Sequence, residues 1–186
     1  LVPEISLTPQ TIERFASIFG EEKICVINSR INPSHKLDNI YRIKSQKASI
    51  ILGPRSALFT PTDHLGLIII DEEQENSYKS SESPRYHTRQ VAYQIAKFLK
   101  IPLILGSATP SLETFYAAKQ NKIKLFSLKS RHYPVKLPEI TICDTRNENN
   151  IFSKRLIEKV LTYYKGGYQS ILFLNRRGFS PVIYCK

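Results

Sequence analysis

Four short runs of branched apolar residues, separated by stretches with helical periodicity, restrict the fold of this chain more than any other feature. Each run is rich in Ile, Val and Leu at consecutive positions, which is typical of strands buried on both faces, as in parallel sheets. The four predicted strands are Ile24–Asn28, Ala48–Leu52, Leu67–Ile70 and Leu103–Leu105. Strands that alternate with helices predict an α/β fold with a parallel sheet flanked by helices.

Capping signals place the helices between these strands. Thr8-Pro9 puts a cap residue before a proline at the first helical position, and Gly20 is expected to end that helix. A second helix is predicted over Tyr86–Lys100. A third is predicted after Thr109-Pro110, with Thr109 as its cap residue.

The pattern changes after residue 121. Residues 122–150 combine clustered lysines with two prolines and a polar run, which predicts an inter-domain linker. From residue 151 a second unit is expected, in which Ser153 caps a helix that ends at Gly166-Gly167 and a strand follows over Ser170–Leu174. The predicted domains are therefore 1–121, 122–150 and 151–186.

Charge and cysteine content limit the class of protein. The chain has 27 basic and 16 acidic residues, a net charge of +11, which indicates either a solvated basic surface or an anionic partner such as nucleic acid. No apolar run approaches the ~20 residues of a membrane span. Three cysteines, odd in number and far apart, predict a reducing, cytoplasmic setting. The absence of Met predicts a piece of a longer protein.

Polar clusters follow three of the predicted strands. Because ligands bind at the carboxyl ends of parallel strands, we expect the clusters on one rim of the sheet. They are Gly53-Pro54-Arg55-Ser56, Asp71-Glu72-Glu73-Gln74 and Gly106-Ser107-Ala108-Thr109. An apolar run that ends in Asp-Glu has the form of a Walker B element, in which the Asp holds Mg²⁺ and the Glu activates water. The alternative is a solvated acidic turn. A Ser-Ala-Thr sequence after the next strand favours the Walker B interpretation, since this is the coupling motif of superfamily 2 helicases.

Longer strings point to one family. They are LVPEISLTPQ (1–10), GPRSALF (53–59), LGLIIIDEEQENSYK (65–79), Arg85-Tyr86-His87, GSATPSLE (106–113) and LFLNRRG (172–178). The chain resembles the primosomal replication-restart DNA helicases (primosomal protein N′, PriA) in these strings, and the likeness extends over essentially the whole chain.

The resemblance implies part of an ATP-dependent 3′-to-5′ DNA helicase that acts in restart of stalled replication forks and in primosome assembly. It implies a first RecA-like lobe without its first strand and phosphate loop, an inter-lobe linker and the start of a second lobe. The implied cofactors are ATP and Mg²⁺, with Zn²⁺ in the full-length protein. The implied partners are forks, single-stranded DNA, replication-restart proteins and single-stranded DNA-binding protein.

The resemblance also assigns roles to individual residues. Asp71 would bind Mg²⁺, Glu72 would be the general base, and both would contact the nucleotide together with Gln74. Gln74, Ser107 and Thr109 would couple hydrolysis to movement. The implied DNA-binding residues are Pro3, Ser6, Arg55, Ser56, Tyr78, Arg85 and Tyr86, and Cys185 would be the first ligand of a zinc-binding insertion. Two alternatives stay open: Tyr86 packing under the helix that follows it, and Arg55 in an ion pair with Asp71 or Glu72.

Three positions depart from the family pattern: Gln74 replaces a His, Pro54 a Thr and Pro84 an aromatic residue. No phosphate loop of the form G-x-x-x-x-G-K-[ST] occurs in the 186 residues, so the chain alone is not expected to hydrolyse ATP. Two other functions stay open. One is a non-hydrolysing nucleic-acid-binding module on a RecA-like fold, and the other is a superfamily 2 ATPase with a different nucleic-acid substrate.

Overall fold

A computed structural model describes residues 1–28, 31–130, 138–146 and 152–173. The chain divides into two compact units, Leu1–Ser127 and Leu128–Lys186. The strands are β1 (Ile24–Val26), β2 (Ile50–Leu52), β3 (Ile68–Ile70) and β4 (Leu103–Leu105). The helices are α1 (Pro9–Phe19), α2 (Pro33–Lys44), α3 (Thr88–Leu99), α4 (Leu112–Lys119) and α5 (Lys154–Lys165). Short 3-10 helices lie at Glu4–Ser6, Glu21–Lys23, Arg55–Phe59 and Asn76–Tyr78.

The strands pair in parallel, β1 with β2 and β3 with β4, which confirms the predicted α/β class. Each strand has three residues, so the ranges predicted for the first three strands were too long. The residues beside them continue the pairing only in part. The N–H of Ile27 still donates to the carbonyl of Leu52 (2.8 Å), whereas the N–H of Ala48 donates to the carbonyl of Arg42 near the end of α2 (3.1 Å).

The first residues of the chain connect the two strand pairs. The N–H of Val2 donates to the carbonyl of Gly53 (3.0 Å), and the carbonyl of Leu1 accepts from the N–H of Asp71 (2.9 Å). Gly53 is required here because a Cβ at this position would lie 2.2 Å from the carbonyl oxygen of Ile27. Leu1 and Val2 thereby hold the residues that follow β2 close to those that follow β3.

Helices cover the strands through separate apolar clusters. Ile12, Phe15 and Ala16 of α1 pack against Val2, Ile24 and Leu52. On α2, Ile43 packs with Cys25 and Ala48. Successive residues of a strand point to opposite faces, so Ile24 and Cys25 direct α1 and α2 to opposite sides of β1. Helix α3 places Ala92 and Ala96 against Ile68, Ile70 and Tyr78.

Capping side chains explain which helix predictions hold. Thr8 Oγ1 accepts from the N–H of Thr11 (3.2 Å), and Gly20 follows α1 with a φ of +89°, as predicted. Ser153 caps α5 as predicted, accepting from Leu156 N–H (3.2 Å). The sequence analysis did not predict helix α2, although Asn32-Pro33 at its start is a capping signal. The helix has weak apolar periodicity because it is largely exposed, with Ile43 as its single buried residue.

Two sequence predictions were wrong. The third helix begins at Leu112 and its cap is Ser111, whose Oγ accepts from the N–H of Thr114 (3.3 Å), not Thr109. Residues 170–173 form no strand: Ile171 is 96% and Phe173 85% exposed, and a strand needs a neighbour with which to share hydrogen bonds. Within the described ranges, no helix is long and apolar enough to cross a membrane.

Candidate functional site

The ends of β3 and β4 bring the acidic turn, defined here as Asp71–Gln74, beside Ser107. The strands pair Ile70 with Leu105, and Gly106 N–H donates to the carbonyl of Ile70 (2.8 Å). In return, Glu73 N–H donates to the carbonyl of Gly106 (3.0 Å). The two polar clusters predicted to share a rim are therefore joined by backbone hydrogen bonds.

Side chains complete this junction in a relay of three residues, Ser107, Gln74 and Glu72. Ser107 Oγ donates to Gln74 Oε1 (2.5 Å), and Gln74 Nε2 donates to Glu72 Oε2 (2.7 Å). A carboxylate only accepts hydrogen bonds, so the amide nitrogen must face Glu72. The exposed Thr109 joins the relay through its backbone N–H, which donates to Ser107 Oγ (2.9 Å).

The backbone of the acidic turn is held in an uncommon conformation. Glu72 has a φ of +47°, in the left-handed region that non-glycine residues rarely occupy. Its N–H donates to Asp71 Oδ1 (3.0 Å), and its carbonyl accepts from the N–H of Glu75 (2.9 Å). Such conformations persist only where the surrounding contacts fix them, and they cluster at functional sites.

The third carboxylate, Glu73, has a partner that the sequence analysis missed. Its side chain is 1% exposed and forms an ion pair with Arg89 (2.5 Å) in the first turn of α3. It also accepts from the N–H of Ser111 (2.7 Å) and from Thr114 Oγ1 (3.2 Å). Burial, and then the neighbouring Arg89, lower the pKa of His87, so this histidine adds no second positive charge near neutral pH. An arginine at the start of the helix after the acidic turn was the signal that sequence reasoning could have used.

Asp71 fits a magnesium site of the type that uses bound phosphates as further ligands. Its carboxylate is exposed at the end of β3. Among the described residues no group of three or more His, Cys, Asp or Glu side chains could hold a metal ion. Mg²⁺ is commonly held by one or two carboxylates together with substrate phosphates and water, which this arrangement permits. Cys185, the predicted zinc ligand, lies outside the described residues.

A groove of about 280 Å³ collects four of the predicted DNA-binding residues: Pro3, Arg55, Ser56 and Tyr78. Its other lining residues are Val2, Glu4, Pro54 and Ser77. Arg55 Nη1 donates to the carbonyls of Ser77 (3.3 Å) and Lys79 (2.9 Å). The alternative ion pair of Arg55 with Asp71 or Glu72 is absent among the described residues. Ser6 is half-buried and does not line the groove.

The aromatic residues predicted to stack on bases differ in exposure. Tyr78 is 1% exposed, its ring lies in the core with Ile70 and Ala92, and its hydroxyl donates to the carbonyl of Asp71 (2.8 Å). The prediction that Tyr78 stacks on bases is therefore corrected, because no face of its ring is accessible. Tyr86 is half-buried and packs edge-to-face on Phe59 (5.2 Å between ring centroids), whereas Arg85 is exposed.

Comparisons with known proteins show the family to which this chain belongs. Residues 1–117 match the model of the DEAD/DEAH box helicase family. Over its whole length the chain is 42% identical to the replication restart protein PriA of Bacillus subtilis (strain 168), of which it covers 24%. It is 42% identical to the PriA of Haemophilus influenzae, covering 26% of it, and 39% identical to that of Treponema pallidum, covering 28%. The chain thus spans about a quarter of the length of these curated relatives, and the resemblance drawn from the sequence motifs is confirmed.

Proposed function

Because this chain belongs to the DEAD/DEAH box helicase family, with its RecA-like α/β fold, we propose that it is part of an ATP-dependent DNA helicase that restarts replication. In this proposal residues 1–121 form most of the first helicase lobe, 122–150 the inter-lobe linker and 151–186 the start of the second lobe. The names of the relatives support the role in replication restart. The activity is that of the longer protein, since phosphate binding needs the glycine-rich loop that these 186 residues lack.

The relay of Ser107, Gln74 and Glu72 is the observation that carries the proposal. Asp71 would hold the magnesium of Mg-ATP, which when bound neutralises charge on the phosphate oxygens. Glu72 would orient the attacking water and accept its proton. Gln74 Nε2 donates to one oxygen of the Glu72 carboxylate (2.7 Å). This hydrogen bond fixes the orientation of the carboxylate, and its other oxygen is left for the water. The hydroxyl of Ser107 links that amide to the chain leading to Thr109.

The proposed DNA path is the groove beside Arg55. Nη1 of Arg55 is held by two carbonyls, while Nε and Nη2 carry three more N–H donors suited to a phosphate. Tyr78 is among the residues that line this groove and its buried hydroxyl donates to the carbonyl of Asp71, so one residue lies between the groove and the acidic turn. A change in the groove would therefore reach the proposed ATP site through a short path.

Finer features of the proposal rest on the family resemblance. They are 3′-to-5′ movement, action on stalled forks, contacts of Ser6, Arg85 and Tyr86 with DNA, a zinc-binding insertion that begins at Cys185, and cytoplasmic location. Other replication-restart proteins and single-stranded DNA-binding protein are the proposed protein partners.

The test is ATP hydrolysis by the full-length protein with and without single-stranded DNA. Glu72→Gln should lower DNA-stimulated turnover by about 10²-fold, the size of a general-base effect, while Mg-nucleotide binding is kept. Glu75→Gln is the matched control, since Glu75 is an exposed carboxylate three residues further on. Near wild-type turnover by Glu72→Gln would exclude Glu72 as the base. A wild-type protein that binds DNA without hydrolysing ATP would be the non-hydrolysing module instead.

A further inference from the structure

We propose that Arg89 is a positioning residue for ATP hydrolysis, which acts through Glu73 to hold the carboxylate of Glu72 in the relay. This inference rests on the proposed function. Neither residue faces the rim: Glu73 is buried and Arg89 is largely so. Their role would therefore be indirect, through the backbone of the acidic turn.

The contacts of Glu73 make it an anchor for that turn. Its two carboxylate oxygens accept hydrogen bonds from Arg89 Nη1, from the N–H of Ser111 and from the hydroxyls of Ser111 and Thr114. Arg89 Nη1 also contacts Ser111 Oγ and Thr114 Oγ1. One buried carboxylate thus joins the acidic turn to the first turns of both α3 and α4. Buried carboxylates are retained where such hydrogen bonds and an opposite charge compensate for lost hydration.

The anchor bears on Glu72 because the two residues are adjacent in the chain. Glu72 occupies the left-handed region, and an ordinary residue returns to a more populated conformation unless its neighbours prevent it. On one side Glu72 N–H is held by Asp71 Oδ1. On the other side, Glu73 is fixed both by its backbone bond to Gly106 and by its buried side chain. Release of that side chain would let the Glu72 peptide rotate and move its carboxylate away from Gln74.

Arg89 also lies at the start of α3, where the loop of residues 75–87 ends. Thr88, the residue before it, donates from Oγ1 to the carbonyl of Tyr78 (2.8 Å), which closes the base of this loop. Ser80 N–H donates to the carbonyl of Tyr86 (2.9 Å) and extends the closure. A shift of the loop base would therefore displace Arg89, and with it the anchor of the acidic turn.

Substitutions in the full-length protein separate positioning from stability. Arg89→Lys keeps the charge but removes the planar fork of donors, and Arg89→Met removes both. Thr8→Ala is the matched structural control, since it removes a helix cap, the one at the start of α1, that takes no part in the contacts of Glu73 and Arg89 given above. Glu113→Gln controls for charge: Glu113 lies 3.9 Å from Arg89 and is 80% exposed.

The first readout is steady-state ATP hydrolysis with single-stranded DNA, normalised to the folded fraction. Arg89→Lys should lower kcat about 10-fold while KM for ATP changes less than about twofold, because a misplaced base slows chemistry and not binding. Arg89→Met should be slower still, and both controls should keep kcat within about twofold. An unchanged kcat in Arg89→Lys, or an equal loss in Thr8→Ala, would overturn the inference.

Hydrogen exchange supplies a readout that needs no catalysis. Amides of residues 71–75 should exchange about 10-fold faster in Arg89→Lys than in the wild type, and at the wild-type rate in Glu113→Gln. Unchanged exchange in Arg89→Lys would refute the anchor. If the wild-type protein hydrolyses no ATP, the proposed function fails, and the exchange measurement alone decides whether Arg89 holds the turn.

Discussion

Replacement of Arg55 by Ala separates a DNA contact from an internal role of the same side chain. Of the described residues that line the groove, Arg55 is the single basic one, so its loss removes the groove's own positive charge. The same change removes two hydrogen bonds, to the carbonyls of Ser77 and Lys79. The two consequences differ in their dependence on salt.

The expected sizes follow from the two kinds of contact. One phosphate contact with single-stranded DNA releases counterions and contributes about 0.7 to the slope of log K against log salt concentration. Arg55→Ala should lower that slope by this amount and weaken binding to DNA of any sequence. Hydrogen bonds from a charged donor are worth roughly 1.5–3 kcal/mol, but these are exposed, so we expect a stability loss near 1 kcal/mol.

The assay is a fluorescence titration of single-stranded DNA with the full-length protein at four or more salt concentrations. Arg55→Lys keeps the charge and should keep the slope, while it loses the bonds to both carbonyls. Arg14→Ala, at an exposed position of α1 outside the groove, is the control for a general change in charge. Parallel lines for wild type and Arg55→Ala would refute the phosphate contact and leave Arg55 with its structural role alone.

Two further predictions concern residues whose contacts differ from expectation. Thr109→Ala should lower unwinding more than ATP hydrolysis, at a stability within about 0.5 kcal/mol of wild type. Ser111→Ala should lower the stability by about 1 kcal/mol because Ser111 caps α4. Thermal unfolding checks the stabilities, paired ATPase and unwinding assays check the activities, and an equal loss of both activities in Thr109→Ala would contradict the coupling role. Tyr78→Phe should leave DNA affinity unchanged and lower the free energy of unfolding by about 1 kcal/mol, since the carbonyl of Asp71 loses its donor. Burial raises the pKa of Tyr78, so its stabilising contribution is complete below the unfolded pKa of about 10 and is lost as pH rises above it. Denaturant unfolding from pH 8 to 11 should show less alkaline loss in Tyr78→Phe, and identical pH profiles would contradict this assignment.

The sequence was sufficient for features that local chemistry determines. The start of α1 follows from a hydroxyl before a proline, and the apolar runs predict the parallel strands. Burial on both faces was not correct for β3 and β4, since Ile69 is 47% and Ile104 50% exposed. The meeting of the acidic turn with Ser107 follows from strand order and from the rule that ligands bind at strand ends. These predictions need no knowledge of side chains distant in the chain.

Features that depend on distant partners were not predictable in the same way. Thr109 and Ser111 are both hydroxyl residues next to Pro110. The choice between them as the cap depends on Glu73, which lies 38 residues before Ser111 in the chain and accepts a hydrogen bond from its N–H. Tyr78 has an aromatic ring of the kind that stacks on bases, but it is buried because α3 packs on β3 and encloses the ring. Pair formation between Glu73 and Arg89 likewise requires the loop of residues 75–87 to close.

Three adjacent carboxylates are tolerated because the fold gives each a different environment. Asp71 faces solvent, Glu72 receives an amide hydrogen bond, and Glu73 is buried against a guanidinium. The residue that connects Glu72 to Ser107 must accept a hydrogen bond from Ser107 and donate one to Glu72. Gln74 does both without titrating, whereas a histidine at this position, which the resemblance implies for the family, would lose its acceptor on protonation, at about pH 6.5 for an unperturbed imidazole. The glutamine therefore preserves the connection between Ser107 and Glu72 without a titration of its own, which is why we expect hydrolysis to remain coupled in a protein with this departure.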